Sequence, residues 1–175
     1  MARATTRDPA TAREWLTWAS VGVEGLCFKR LDEPYRAGAR SWGKYKVRMT
    51  ADAIVGAVTG PATAPRTLLL GRHDRAGRLR YTGRTTPLTR AASADLGRLL
   101  TPAAGDPHPW TGRTFSTGWH TREPLDVILV RPELVVEVDV DVARDVAGRW
   151  RHPVRLHRLR PDLSTGDAAS FGDNG

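Results

Sequence analysis

Lysine is scarce in this chain. Of its 27 basic residues only Lys29, Lys44 and Lys46 are lysine, and the rest are arginine. Glutamine is absent, and Asn174 and Cys27 are the lone asparagine and cysteine. A single cysteine excludes a disulfide framework and a multi-cysteine metal site. No apolar run approaches the ~18 residues of a membrane-crossing helix, and no basic amphipathic helix stands out. The opening MARATTRDPATAR has no apolar h-region, so nothing there reads as a secretory signal. These features read as soluble and cytoplasmic. His73, His108, His120, His152 and His157 are scattered without ligand spacing, which argues against zinc.

What is present is positive charge and enough apolar matter for a core. The chain has 175 residues, 40% of them hydrophobic, and a formal charge of +8. That length suits one ordinary domain, or a small domain with a fragment of another. The charge, with a pI near 10.7, favours a polyanionic partner, nucleic acid before an anionic membrane. In a chain that writes arginine wherever a plain cation serves, lysines confined to positions 29–46 mark a place for a compact point charge against phosphate. The alternative is chance survival of a few codons.

Residues 1–7 read as a loose tail. Asp8-Pro9 then gives an N-cap and a proline at the first helical position, and Ala12, Trp15, Leu16 and Ala19 follow at helical spacing, predicting a helix over 9–19. Residues 21–30 read as a strand with Glu24, Leu26 and Phe28 on one face and Cys27 and Lys29 on the other; Cys27 is expected to be a small buried hydrophobe. A turn-rich loop spans 32–43. A second strand over 44–49 sets Lys44 beside Lys46. Further on, 53–59, 67–72 and 78–82 read as strands, with a hairpin connection at 74–77 and a helix over 89–100. Residues 102–124 form a long loop. The clearest strand is 134–142, where Val136, Val138 and Val140 alternate with Glu137, Asp139 and Asp141, and 154–160 is the last. Residues 164–175 read as disordered. No internal repeat is evident. The fold class predicted is mainly β, with 51–163 compatible with a small Greek-key barrel of the oligonucleotide-binding type.

Two constellations carry chemistry. Glu24 with Lys44 and Lys46 puts one carboxylate and two ammoniums on neighbouring strands. The lysines suit non-bridging phosphate oxygens, and the carboxylate suits a divalent cation or a sugar hydroxyl. The plain alternative is an ordinary surface salt bridge. Arg149, Arg151, Arg155, Arg158 and Arg160 form a basic C-terminal cluster. Strand alternation puts Arg158 and Arg160 on one face, where two guanidinium forks suit a di- or triphosphate, and turns Arg155 and His157 the other way. The alternatives are a solvated basic strand or a non-specific phosphate-backbone stripe.

Residues 24–48, EGLCFKRLDEPYRAGARSWGKYKVR, resemble nucleotidyltransferase motifs IV and V of ATP-dependent DNA ligases: Glu-Gly-x-x-x-Lys, then Tyr-x-x-Gly-x-Arg-Ser-Trp-x-Lys-x-Lys. Residues 149–162, RWRHPVRLHRLRPD, resemble motif VI with its Arg-x-x-Arg-x-Arg-x-Asp ending. The order and spacing fit, and the resemblance spans residues 7–163. Capping enzymes share the framework, but the Tyr-x-x-Gly-x-Arg-Ser-Trp stretch is more ligase-like.

The resemblance implies a fold in two parts: over 1–50, the C-terminal remnant of an adenylation-domain sheet, and over 51–163 an oligonucleotide-binding barrel. It implies ATP and Mg²⁺ as cofactors, nicked duplex DNA as partner, and nick joining in repair and recombination as activity. Glu24 would serve the metal and the nucleotide site, with Lys29 beside that pocket. Lys44 and Lys46 would face the α-phosphate. Trp42 would pack at the start of their strand. Arg158, Arg160 and Asp162 would orient the β- and γ-phosphates. Leu163 stands where motif VI often ends in lysine. None of the three lysines is followed by x-Asp-Gly, the motif whose lysine carries AMP in these ligases. The chain therefore resembles the C-terminal half of a ligase, expected to need a separate chain bearing the Lys-x-Asp-Gly half and not to adenylate itself alone. The alternatives are a non-catalytic module that binds DNA or nucleotide, and an inactive truncated gene product.

Overall fold

Asp8 opens the first helix as its sequence predicts. In the computed structural model, which describes residues 4–18, 23–34, 36–39, 41–47, 49–105, 107–116, 123–141 and 144–172, the Asp8 carboxylate accepts hydrogen bonds from the backbone N–H of Ala10 (3.0 Å) and of Thr11 (3.1 Å). Helix α1 runs Pro9–Leu16 and buries no residue completely. It is shorter than the expected 9–19, and Ala19 lies outside the described residues. Strands β1 (Gly25–Phe28) and β2 (Gly43–Lys46) form a two-stranded antiparallel sheet of their own. Because this sheet is barely covered, Cys27 is exposed rather than buried.

The barrel begins at β3 (Met49–Thr59), which enters its core at Ala51. Strands β4 (Thr67–His73) and β5 (Leu79–Arg84), helix α2 (Arg90–Gly97), the short β6 (Ile128–Leu129), β7 (Val135–Val140) and β8 (Arg155–Leu159) follow. Strand order is β5-β4-β3-β7-β8, with β6 on β3. The two ends of that order meet: Thr85 forms a parallel bridge with Val154, and the Thr86 N–H donates to the Val154 carbonyl at 2.7 Å. An antiparallel sheet whose third strand closes in parallel against its fifth, with a helix between the third and fourth, is the five-stranded Greek-key barrel expected for the oligonucleotide-binding type. Strand β6 was not foreseen in the sequence; two residues are too few to show alternation. Val142, expected in β7, lies outside the described residues, as do Val21, Gly22 and Arg48, expected in the first two strands.

A bulge decides which side of β3 faces which core. The register with β4 shifts between Val55 and Ala57, and one added residue swaps every later side chain to the other face. Ala51, Ala53, Val55 and Val58 therefore share the barrel interior with Leu68, Leu70, Val136, Val138, Leu96 and Trp150. Ile54 and Ala57 join a second cluster on the outer face with Leu69, Trp110 and Phe115.

That outer cluster explains the 102–124 segment. Trp110 is 1% exposed and its indole N–H donates to the Leu79 carbonyl at 2.9 Å. It lies flat on Gly56, where a Cβ would stand 2.5 Å from the ring. His108 fixes the approach: its Nδ1 accepts from the Trp110 N–H at 3.0 Å, leaving Nε2–H to donate to the Val130 carbonyl at 3.0 Å. The loop is thus a plug that covers the sheet.

The tail is also ordered, contrary to its composition. Residues 173–175 lie outside the described residues, but within 164–172 Ala168 is buried in the Trp110 cluster, and the Phe171 N–H donates to the His73 carbonyl at 2.8 Å. Two anchors on a neighbouring surface outweigh the polar residues between them.

A short motif does recur. Asp74-Arg75-Ala76-Gly77-Arg78 and Asp145-Val146-Ala147-Gly148-Arg149 build the same turn. In each, one aspartate oxygen accepts two backbone N–H groups, the other accepts the arginine Nε, and the glycine takes a φ near +75°, a conformation open to glycine without steric cost. Among the described residues no helix is long and apolar enough to cross a membrane.

Candidate functional site

The cross-strand register places the three lysines together. Lys44 stands opposite Cys27 and Lys46 opposite Gly25, and directly opposed residues share a face. Lys29 follows Cys27 on that face, with its Nζ 3.9 Å from the centroid of the Trp42 ring, close enough for a cation–π contact. Glu24 is held by a hydrogen bond from the Val47 N–H to its carbonyl at 3.1 Å. Among the described residues no ion pair joins Glu24 to Lys44 or Lys46. Tyr35 and Arg40 of the motif lie outside the described residues.

Lys46 and the C-terminal arginines meet along β7 and the Asp141 that follows it. Glu137 and Asp139 alternate with Val136, Val138 and Val140, whose side chains fill the barrel, so the acids form an outward row that Asp141 extends. Arg158 Nε lies 2.6 Å from Glu137 Oε2. His157 Nδ1 lies 3.5 Å from Asp139 Oδ1. Lys46 Nζ lies 2.9 Å from Asp141 Oδ2. With side chains on one face recurring every ~7 Å, the row spans about 13 Å.

Arg160 is the most connected of these cations and only 17% exposed. Its Nη1 lies 3.1 Å from Asp52 Oδ1 and 3.9 Å from Glu137 Oε2, and its Nη2 lies 2.8 Å from Asp162 Oδ2. Asp52 and Glu137 are register partners across β3 and β7. A planar guanidinium bridges such a pair as an ammonium does not. The hydrogen bond from Arg160 holds the Asp162 carboxyl down to about 2. Arg160 is raised in turn, chiefly by that bond. The Thr50 hydroxyl, then Arg158, hold Glu137 below its ordinary value.

His157 was expected to turn away from Arg158, yet both reach the same acidic row. The register shifts between Glu137 and Val138, so strict alternation along β8 fails there. Asp52, Glu137, Asp139 and Asp141 were not foreseen as partners of the site. Their signal was the Val-x-Val-x-Val alternation of β7, which put every second side chain outside. No group of three or more His, Cys, Asp or Glu side chains suited to a metal occurs among the described residues. Glu24 stands as a single exposed carboxylate; that donor set suits a Mg²⁺ held through one carboxylate and substrate phosphates, not a protein cage.

The chain matches the family model described as the ATP dependent DNA ligase C terminal region over residues 62–163. It is 32% identical to DNA ligase C2 of Mycolicibacterium smegmatis over 178 residues, covering 90% of this chain and 49% of that protein. It is 30% identical to DNA ligase C of Mycobacterium tuberculosis over 174 residues, covering 90% of this chain and 48% of that protein. The solved structure of a mycobacterial DNA ligase D complexed with ATP and MES is similar with a TM-score of 0.53 at 27% identity, over 84% of this chain and 46% of that one. The chain spans about half the length of the curated relatives it matches.

Proposed function

Because the chain belongs to the family of ATP-dependent DNA ligase C-terminal regions, we propose that it supplies the phosphate-holding cations and the DNA-facing barrel of an ATP-dependent nick-joining reaction. The observation that carries this is the arrangement of Lys46, Arg158 and Arg160 along one row of carboxylates. Cations from two distant sequence segments gather where a chain of phosphates suits them as well as the protein's own acids do.

The covalent anchor lies elsewhere. Lys29 precedes Arg30-Leu31, Lys44 precedes Tyr45-Lys46, and Lys46 precedes Val47-Arg48, so none has the Lys-x-Asp-Gly context. A lysine on another polypeptide segment, in this molecule or a separate one, attacks the α-phosphorus of ATP; the bond to the β-phosphate breaks and pyrophosphate leaves. AMP then passes to the 5′-phosphate at a nick. The 3′-hydroxyl attacks that phosphate, AMP departs and the strand is sealed. Lys44 and Lys46 neutralise α-phosphate oxygens, where charge develops. Arg158 and Arg160 exchange Glu137, Asp52 and Asp162 for the β- and γ-phosphates. Glu24 takes a sugar hydroxyl or a Mg²⁺, which would supply charge neutralisation at the phosphates. The exposed Trp18, Phe28, Leu31, Trp42 and Tyr45 support a protein surface against the N-terminal sheet, and the Lys-x-Asp-Gly segment is the occupant that completes the reaction.

Nick sealing tests this. The chain is mixed with a separately produced Lys-x-Asp-Gly segment, with ATP, Mg²⁺ and nicked duplex. Sealing is expected from the mixture and from neither part alone, and Lys44→Ala or Lys46→Ala should abolish it. A mixture that binds nicked DNA without ever sealing it would reduce the chain to a binding module.

A further inference from the structure

A second basic feature lies away from Arg160. A cavity of about 220 Å³ opens between β5, the Arg113–Ser116 stretch and the turn that joins β7 to β8. The register pairs Leu159 with Val136 at one end of the β7–β8 hairpin and Arg155 with Asp139 at the other. Arg160 sits at the first end and the cavity, lined by Arg149 to Pro153, at the second. At ~3.3 Å per strand residue, the two are roughly 20 Å apart.

Asp145 balances Arg149, and Arg113 and Arg151 add positive charge to the lining beyond that pair. Arg84, Arg113, Arg149 and Arg151 line it, and Asp145 is the carboxylate among its described residues. Asp145 is already committed. One oxygen accepts the Ala147 and Arg149 backbone N–H groups at 2.8 and 2.7 Å, and the other accepts Arg149 Nε at 2.7 Å. Arg113 makes no ion pair among the described residues. Its guanidinium lies 5.9 Å from the centroid of Tyr81 and 5.7 Å from that of Phe115. Burial first, then the positive charges of Arg80 and Arg149, lower its affinity for its proton. Cations gathered over a partly apolar wall repel one another, and an anion between them relieves that repulsion.

The wall is rigid and sized for a small group. Tyr81 and Phe115 pack edge to face, with centroids 5.2 Å apart, and Tyr81 also packs edge to face on the buried Trp110. The volume falls short of the ~300–1,000 Å³ of sites that enclose a whole drug-sized ligand. Guanidinium forks match phosphate oxygens two at a time, and an aromatic wall suits the sugar next to that phosphate. We infer that this cavity is a second anion site that takes one phosphodiester of a DNA strand, with Arg113 and Arg151 on its oxygens and the adjoining sugar against Tyr81 and Phe115. The inference rests on the chain acting on DNA and adds the place where a strand is gripped, at the end of the β7–β8 hairpin away from Arg160.

The test is fluorescence anisotropy of a labelled nicked duplex with the full chain across a series of salt concentrations. Arg113→Ala and Arg151→Ala are each expected to weaken binding about five- to tenfold and to lower the slope of log affinity against log salt by about one. Arg113→Lys should recover the slope with part of the affinity. Thermal midpoints of the variants check that these exposed positions leave the fold intact. Inorganic phosphate and ATP, titrated as competitors, form the other arm. If either binds tightly, loses that binding in Arg113→Ala, and leaves duplex binding unchanged, the cavity is a free-phosphate site and the strand assignment is overturned. Unchanged slope and affinity in both variants, with the parent chain binding DNA, would remove the site but leave the ligase-type function standing. A parent chain that binds no DNA even at low salt would remove both.

Discussion

Lys46 Nζ and Asp141 Oδ2 lie 2.9 Å apart and join β2 to the residue that follows β7, across 95 positions of sequence. The other Asp141 oxygen is buried without a partner. A carboxylate so placed is costly to leave without its cation. In the role proposed for it, Lys46 would divide its single positive charge between Asp141 and an α-phosphate, so the Asp141 contact would weaken its hold on nucleotide.

Asp141→Asn separates those two roles. It should raise the affinity of the chain for AMP a few-fold and speed hydrogen exchange in residues 43–47. Global stability should change by no more than ~1 kcal/mol, since the lysine is largely exposed. Calorimetric titration and exchange mass spectrometry read the two effects. Unaltered exchange in β2 would show that the pair does not dock the sheet.

The plug residue gives the largest stability effect. Trp110→Ala empties a fully buried indole site and should cost ~3–5 kcal/mol of unfolding free energy in urea. Gly56→Ala drives a methyl group into the Trp110 ring and should cost ~1–3 kcal/mol through overpacking. If Gly56→Ala is neutral, the indole does not rest on that glycine.

Arg160 and Arg158 differ in how many acids each serves. Removing Arg160 leaves Asp52 and Glu137 directly opposed as like charges, whereas removing Arg158 leaves Glu137 still near Arg160. The thermal midpoint should therefore fall more in Arg160→Ala than in Arg158→Ala, and Arg160→Lys should recover only part of the loss. The reverse order would contradict the bridging geometry.

Acid should destabilise the chain in two steps. Burial lowers the proton affinity of His108, so the unfolded chain binds that proton first and stability falls as pH drops below about 6.5. The Arg160 hydrogen bond holds Asp162 near 2, against 3.8 unperturbed. Its contribution is therefore complete above about pH 4 and lost between 4 and 2. Unfolding midpoints by tryptophan fluorescence from pH 8 to 2 resolve both, and His108→Gln should erase the upper step alone.

The barrel was legible because its strands carry period-two patterns and its first hairpin carries turn residues at 74–77, whereas the matching turn at 145–149 emerged only in the structure. The alternation of Val136, Val138 and Val140 fixed the inward face of β7, and that same alternation turned Glu137, Asp139 and Asp141 outward. Pairing of distant cations with those acids was not legible, because it depends on register, and bulges at Val55/Ala57 and Glu137/Val138 reset it. The 107–116 segment and the 164–172 tail have no periodicity. Their order comes from single anchors, Trp110, Phe115 and Ala168, that find a surface only in three dimensions.

The central claim is that this chain's cations act on an adenylate whose covalent anchor is encoded elsewhere. Incubation with α-labelled ATP and Mg²⁺, with and without a Lys-x-Asp-Gly segment, tests it most directly. The account predicts no covalent label on this chain under either condition, and label on the added segment that rises when this chain is present and falls with Arg158→Ala and Arg160→Ala. Label on Lys29, Lys44 or Lys46 of this chain, or labelling of the segment indifferent to its presence, would contradict it.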